Sequence, residues 1–137
     1  MTSTVEYEGD LRTTCTHVRS SNSFETDAPV DNNGKGERFS PTDLMATSLA
    51  TCMITVMGIK ARTMGFDLTG AKVEVEKLMK AEPRRVGGIN LTFHFPEALQ
   101  SLDEKSKQIL KHTGNTCPVQ HSIHPEIEVK VDWGEWS

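Results

Sequence analysis

Residues 40–65, SPTDLMATSLATCMITVMGIKARTMG, form the stretch that decides the architecture of this chain. Ser40 is a good N-cap, Pro41 suits the first helical position, and Asp43 completes a capping box with Ser40. The sixteen residues 44–59 carry no charge, fewer than the roughly 20 apolar residues that cross a bilayer. The pattern therefore predicts a soluble helix of about 24 residues, roughly 36 Å long.

The apolar residues of this predicted helix lie on all of its sides, so we expect it to be buried nearly all round. A helix about as long as the domain is wide is hard for one small chain to cover. Two explanations remain open from the residues alone. Either it is the central core helix of a monomer, or a second subunit covers part of it.

Composition limits the class of protein. A chain of 137 residues is predicted to form a single domain, residues 1–137. Its net charge of -4 argues against nucleic-acid binding, which needs a basic surface. Three cysteines are too few, and odd in number, for a secreted disulfide framework. The start MTSTVEYEGD has no export-signal pattern. We expect a cytoplasmic protein without a membrane segment.

The segments around the helix predict an α+β fold with antiparallel strands. A turn signal at residues 8–10 favours a hairpin over residues 5–18. Alternation at period two predicts strands at residues 71–80, 89–95 and near 127–133. A second helix is predicted from residue 102 to about residue 113, with Ser101 and Glu104 as its capping box. In the strand near residue 90, one face is apolar: Ile89, Leu91, Phe93 and Phe95.

The three cysteines differ in their local settings. Cys52 lies in the middle of the apolar helix, where burial raises a thiol pKa and inert packing is the ordinary role. Cys117 precedes Pro118 at the predicted start of a short helix, where a thiolate is stabilised. By local physics Cys117 is therefore the more activated of the two. Cys15, within the first hairpin, is taken as structural.

A metal site is a competing interpretation for the thiol at residue 117. Cys117 and His121, four residues apart, would share a helix face, with His112 and His124 close by in the chain. Cysteine and histidine are common zinc ligands, but the spacing matches no zinc-finger or ribbon pattern. Elemental analysis of the purified protein would test this alternative.

Taken together, several segments closely resemble the OsmC/Ohr family of thiol-dependent peroxidases. They are SPTDL at residues 40–44, the helix reaching Cys52, and CPV at residues 117–119, sixty-five residues after Cys52. YEGDLR at residues 7–12 and TDAP at residues 26–29 are also similar to this family. The resemblance extends from about residue 5 to residue 133.

The resemblance implies an OsmC-type fold, in which antiparallel strands wrap around two central helices of an intertwined homodimer. It also implies reduction of organic hydroperoxides without a bound metal or cofactor. Cys52 would be the peroxidatic thiol and Cys117 the resolving thiol. The first would become a sulfenic acid, and the second would condense with it to a disulfide. An external dithiol, of the lipoyl or thioredoxin type, would reduce that disulfide.

In the family, an arginine from the N-terminal hairpin activates the buried thiol. Arg12 occupies the best matching place, and Arg38 is a second candidate. Characterised branches carry a glutamate directly after the motif proline, where this chain has Thr42. Asp43 lies one residue later, about 100° further round a helix, and Glu37 could replace the glutamate from the preceding loop.

The absence of that glutamate keeps a second function open. On the same fold, the thiols could respond to oxidants or electrophiles without turnover, or the protein could bind a ligand. Stoichiometric oxidation without recycling by a dithiol is the observation that would favour this alternative over a peroxidase.

Overall fold

The computed structural model describes all residues 1–137 and confirms an α+β chain. Its contacts divide it into two compact units, residues 1–45 and residues 46–137. That residues 1–137 form one domain stays a prediction. The strands are β1 (Ser3–Gly9), β2 (Arg12–His17), β3 (Ser23–Asp27), β4 (Lys72–Lys80), β5 (Arg85–His94) and β6 (Glu128–Asp132). The α-helices are α1 (Pro41–Thr63), α2 (Glu97–Gln100), α3 (Glu104–Gly114) and α4 (Pro118–Ser122). Short 3-10 helices cover Val30–Asn32 and Gly134–Trp136.

The first unit contains an antiparallel sheet in the order β1-β2-β3. The predicted hairpin is confirmed, and its turn places Asp10 and Leu11 at φ 52° and 63°, the conformation that a tight two-residue hairpin requires. Strand β3 was not predicted. Within residues 1–45 the only buried residues are Thr26, Asp27 and Ser40, so this unit has no buried apolar core of its own.

Helix α1 begins with the predicted capping box. The Asp43 amide donates to Ser40 Oγ at 3.1 Å, and the Ser40 amide donates to Asp43 Oδ2 at 3.0 Å. This reciprocal pair satisfies two backbone N–H groups near the helix start that have no partner within the helix. Asp43 is therefore engaged at the cap.

The prediction that α1 is buried nearly all round is wrong for the single chain. Only one stripe is buried, comprising Ala46, Leu49, Ala50, Met53, Met57 and Ala61. Ile59, on another side, is 61% exposed. By length and composition alone α1 could cross a membrane, but a core helix of a soluble protein meets the same criteria. One chain covers only part of this apolar helix.

The second unit contains a sheet in the order β4-β5-β6. Strands β4 and β5 pair antiparallel, whereas β6 runs parallel to β5, which corrects the expectation of antiparallel strands throughout. The reason is the long connection from β5 to β6, which contains α2, α3 and α4 and lets the chain return in the same direction. The predicted apolar face is confirmed, because Ile89, Leu91 and Phe93 are at most 1% exposed.

Helix α3 is capped by a residue other than the predicted one. Asp103 Oδ2 accepts the Ser106 amide at 3.1 Å, so Asp103, rather than Ser101, is the N-cap. At its other end Gly114 approaches α1 closely. A Cβ at this position would lie 2.8 Å from Met57 Sδ, and the glycine therefore lets the two helices pack in direct contact.

The chain end is fixed to the second unit by Trp136, which is 1% exposed. Its ring stacks on Phe95 with centroids 3.6 Å apart, and its Nε1 donates to the Leu99 carbonyl at 3.0 Å. Glu135 adds a carboxylate that accepts the Phe95 amide at 2.9 Å. Apolar burial and satisfied hydrogen bonds thus hold the last residues against β5 and α2.

We expect Trp136→Ala to lower the free energy of unfolding by about 3–5 kcal/mol, because it removes a large buried ring. Trp136→Phe keeps an aromatic ring but loses the hydrogen bond from Nε1 to the Leu99 carbonyl. Loss of that bond alone should lower the free energy of unfolding by about 1 kcal/mol. Urea unfolding followed by circular dichroism at fixed chain concentration measures both. A loss below about 1 kcal/mol for Trp136→Ala would contradict this role.

Candidate active site

Two of the predicted site residues, Cys52 and Cys117, meet in the second unit. Their side chains are hydrogen-bonded to each other. Cys52 is half-buried in the middle of α1, whereas Cys117 is fully buried. Cys117 is the N-cap of α4, and its Sγ accepts the Gln120 amide at 3.4 Å. The structure therefore makes Cys52 the more accessible thiol of a contacting pair.

The structure adds burial to the local setting of Cys117 at a helix start. Burial raises the pKa of the Cys117 thiol, and the hydrogen bond and charge interaction with Cys52 raise it further. Hydrogen bonds from the amides of Gln120 and Val119 lower the pKa of Cys117, but by less than burial raises it. A buried thiol that is kept protonated is a hydrogen-bond donor and a poor nucleophile. Cys117 is therefore less activated than its position at a helix start predicts, because that position does not reveal its burial.

Arg12, predicted as the activator, lies in the first unit and binds carboxylates. Its Nε and Nη2 contact the two oxygens of Asp27 at 2.7 and 2.8 Å. Nη2 also donates to Glu37 Oε2 at 3.0 Å, and Glu25 lies 3.5 Å from Nε. The side-chain hydrogen bond with Asp27, followed by that with Glu37, raises the pKa of Arg12. The guanidinium is therefore held in a two-bond ion pair.

Asp27 is a site residue that the sequence analysis missed. It is 1% exposed, lies directly opposite Arg12 in the β2–β3 register, and accepts the Glu37 amide at 3.1 Å. The hydrogen bond from Arg12 is the largest cause that lowers the pKa of Asp27. In the sequence, the TDAP segment at residues 26–29 indicates a family resemblance and no role for Asp27. Recognising β3 would have placed Asp27 beside Arg12.

The loop between β3 and α1 brings Glu37 to this cluster. The chain folds back so tightly that a Cβ at residue 34 would overlap the Ala28 carbonyl, and only glycine fits there. The Gly36 amide then donates to the same carbonyl at 3.2 Å. The prediction of Glu37 as a supporting carboxylate has a geometric basis in its contact with Arg12.

Of the other predicted supporting residues, Arg38 lies at the edge of this carboxylate cluster, where its charge also lowers the pKa of Asp27, whereas Asp43 does not belong to the cluster. Arg38 is 4.0 Å from Glu25 and donates to the Glu37 carbonyl at 3.0 Å. Asp43 belongs to the α1 capping box. Neither has a contact with Arg12 among these interactions, and Arg12 is held by Asp27 and Glu37 instead.

The remaining cysteine and the histidines form no further cluster. Cys15 is half-buried on β2 and faces Val5 and Phe24 in the sheet register. His121 and His124 are exposed. No three histidine, cysteine or acidic side chains come together in a way that could hold a metal ion.

Comparison with known proteins identifies the family. The profile described as OsmC-like protein matches residues 34–132, more than half of the chain. The chain belongs to the OsmC-like protein family. None of the curated proteins compared with it matches.

Solved structures agree with this assignment and give the OsmC fold. One solved structure is that of a protein from Psychrobacter arcticus 273-4, provisionally described as an osmotic stress induced and detoxification response protein. It is 55% identical in sequence to this chain. The match covers 96% of this chain and 94% of that chain, with TM-score 0.91. An organic hydroperoxide resistance protein OsmC from Legionella pneumophila is 18% identical, with 96% of each chain covered and TM-score 0.72. The organic hydroperoxide resistance protein OhrB of Bacillus subtilis is 17% identical, with 96% and 97% covered and TM-score 0.65.

The ion pair between Arg12 and Asp27 predicts a pH-dependent contribution to stability in this OsmC-like protein. Because the pKa of Asp27 is lowered on folding, its contribution is present above the unfolded pKa of about 3.9 and is lost as pH falls through the folded value. We expect Asp27→Asn to be less stable than the wild type at pH 7, with the difference shrinking below about pH 4. Urea unfolding of both proteins at several pH values from pH 7 to below about pH 4 measures this difference in the free energy of unfolding.

The matched control is the same substitution in an Arg12→Gln background. There the pH-dependent part of the Asp27 effect should shrink, because the partner that lowers the pKa of Asp27 most is gone and only the Glu37 amide and the charge of Arg38 still lower it. An undiminished pH-dependent difference in that background would contradict the assignment of the shift to Arg12.

Proposed function

We propose that this OsmC-like protein reduces organic hydroperoxides through Cys52 and Cys117. The observation that carries the proposal is the hydrogen-bonded contact between a half-buried thiol and a fully buried one. The OsmC and OhrB proteins of similar fold, from Legionella pneumophila and Bacillus subtilis, are organic hydroperoxide resistance proteins. The closely similar Psychrobacter arcticus protein carries a detoxification description. A cytoplasmic location fits a reaction that needs reduced thiols.

Cys52 is the peroxidatic thiol in this proposal. Its thiolate attacks the terminal oxygen of the hydroperoxide, the O–O bond breaks, and the sulfur becomes a sulfenic acid. The alkoxide that leaves takes up a proton and departs as the alcohol. The raised pKa of Cys117 supports this division of roles, because the protonated neighbour can donate a hydrogen bond to the Cys52 thiolate while remaining unreactive itself.

Cys117 is then the resolving thiol. Its sulfur attacks the sulfenic acid at Cys52, a disulfide forms, and water leaves. The interaction between the two side chains supports this step, because the resolving thiol must lie next to the sulfenic acid. An external dithiol of the lipoyl or thioredoxin type returns both cysteines to thiols and is itself oxidised to a disulfide.

Arg12 is the proposed activator of Cys52. A positive group beside a partly buried thiol offsets the cost of ionising it. Asp27 and Glu37 hold the guanidinium by three hydrogen bonds. These two carboxylates hold Arg12 although Thr42 stands at the position of the family glutamate.

We further propose that the working unit is a homodimer. The first unit buries no apolar side chain of its own, and a three-stranded sheet needs a covered apolar face to be stable. Large apolar residues between 43% and 75% exposed lie along it: Val5, Tyr7, Leu11, Val18, Phe24, Val30 and Phe39. In the second unit, an open groove of about 550 Å³ beside α1 is lined by apolar and polar residues, among them Ile54, Ile59, Phe66 and Arg62. A second copy would cover such surfaces.

The peroxidase proposal predicts consumption of cumene or tert-butyl hydroperoxide by the reduced protein with dihydrolipoamide present. Cys52→Ser should reduce the rate to that without protein, because no sulfenic acid can form. Cys117→Ser should oxidise once per chain and accumulate a dimedone-reactive Cys52 without turnover. Cys15→Ser should keep the wild-type rate and serves as the matched control.

Equal peroxide loss by wild type and Cys52→Ser would refute the peroxidase. Mass spectrometry of the oxidised wild type should show a disulfide between Cys52 and Cys117.

The alternative function, oxidation without turnover, is favoured by the uncharged Thr42 at the position of the family glutamate. It predicts one oxidation per chain in the wild type and no recycling by dihydrolipoamide or thioredoxin.

The dimer proposal predicts a sedimentation mass of twice that of the chain at micromolar concentration. Phe24→Glu would place a charge on the exposed apolar face of the β1–β3 sheet and should shift the population toward monomer. Glu6→Gln, an exposed polar change on the same sheet, should leave the mass unchanged. A wild-type protein that sediments as a monomer under these conditions would contradict the proposal.

A further inference from the structure

We infer that Asp27, rather than Glu37, is the positioning residue that holds Arg12 in its working orientation. The inference deepens the proposed function and rests on it, because it takes Arg12 as the group that activates Cys52. Asp27 does not touch the reacting atoms and acts only through Arg12.

The contact between Asp27 and Arg12 fixes more than a distance. Two parallel bonds of 2.7 and 2.8 Å join the Nε and Nη2 edge of the guanidinium to the two carboxylate oxygens. Such a two-bond contact sets both the plane and the rotation of the group. Nη1 is the one guanidinium nitrogen without a hydrogen bond to the protein. The Asp27 contact thus leaves Nη1, with its two N–H groups, available to a reacting anion.

Three carboxylates lie around Arg12, and their exposure separates their roles. Asp27 is 1% exposed, Glu25 39% and Glu37 61%. Solvent screens exposed ion pairs and leaves them worth little, whereas a buried pair is weakly screened. Glu37 makes one hydrogen bond to Arg12 where Asp27 makes two. The buried carboxylate therefore dominates the orientation of the guanidinium.

Asp27 is itself held in place on several sides. It pairs directly opposite Arg12 in the β2–β3 register, its amide donates to the Phe39 carbonyl at 3.1 Å, and its Oδ2 accepts the Glu37 amide at 3.1 Å. The same residue thus ties β2, β3 and the loop before α1 together. A side chain anchored in this way is suited to orient another one.

A positioning role and a simple charge effect predict opposite results. If Asp27 acted only through its negative charge, its removal would strengthen the positive field of Arg12 and favour the Cys52 thiolate. If Asp27 positions Arg12, its removal frees the guanidinium and disfavours the thiolate. The direction of the change in Cys52 reactivity therefore distinguishes the two roles.

The experiment measures iodoacetamide modification of Cys52 against pH in the full chain, quantified at that residue by mass spectrometry. We expect Asp27→Asn to slow modification at pH 7 about tenfold, which corresponds to a shift of about one pH unit in the profile. Arg12→Lys keeps the charge but cannot form the two-bond contact, so it should slow the reaction similarly. Glu37→Gln should slow it less than about twofold, and Glu6→Gln should not change it.

Faster modification in Asp27→Asn, or a slowing in Glu37→Gln as large as that in Asp27→Asn, would overturn the inference. If circular dichroism shows that Asp27→Asn does not fold, Arg12→Lys decides, and a wild-type rate in Arg12→Lys overturns the inference. The rate of Cys52 alkylation can be measured without any catalytic turnover of peroxide. A wild type that consumes no peroxide therefore refutes the peroxidase while the alkylation profiles still decide the role of Asp27.

Discussion

The ion pair between Arg12 and Asp27 is the interaction on which the first unit of this OsmC-like protein depends. Residues 1–45 bury no apolar side chain, and Asp27 is one of three residues buried there. A buried carboxylate is costly unless it is paired and hydrogen-bonded. Asp27 meets that condition with two bonds from Arg12 and one from the Glu37 amide. The same contact joins the sheet to the loop that leads into α1, so the polar cluster provides the order that an apolar core would otherwise supply.

In the second unit the corresponding constraint is desolvation around the two thiols. Cys117 is at the start of a helix, which favours its thiolate, and it is fully buried, which disfavours it. Burial is the larger effect, because the pKa of Cys117 is raised. Cys117, at the start of the short helix α4, therefore interacts with Cys52 as a protonated thiol. This combination of an accessible thiol and a protonated, contacting one is what the proposed peroxidase chemistry needs.

Much of the fold could be predicted because the signals are local. The Ser40–Asp43 capping box forms as expected, and Ile89, Leu91 and Phe93 all face the interior, since caps and periodicity act within a few residues. The prediction failed where distant segments meet. β6 is parallel to β5, and the N-cap of α3 is Asp103. A single chain covers only one stripe of α1, and coverage of its other sides by a second copy stays a proposal.

The candidate site divides in the same way. The amino-acid sequence by itself determined the long capped helix that carries Cys52 and the position of a second thiol at a helix start. The family resemblance also pointed to Arg12 and Glu37 as candidate site residues. Only the tertiary structure decided that Asp27 is the main partner of Arg12 and that Cys117 is the more deeply buried thiol. Both depend on contacts between residues far apart in the chain. Solvent exclusion and ion pairing set the pKa of a group, and neither can be read from its immediate neighbours.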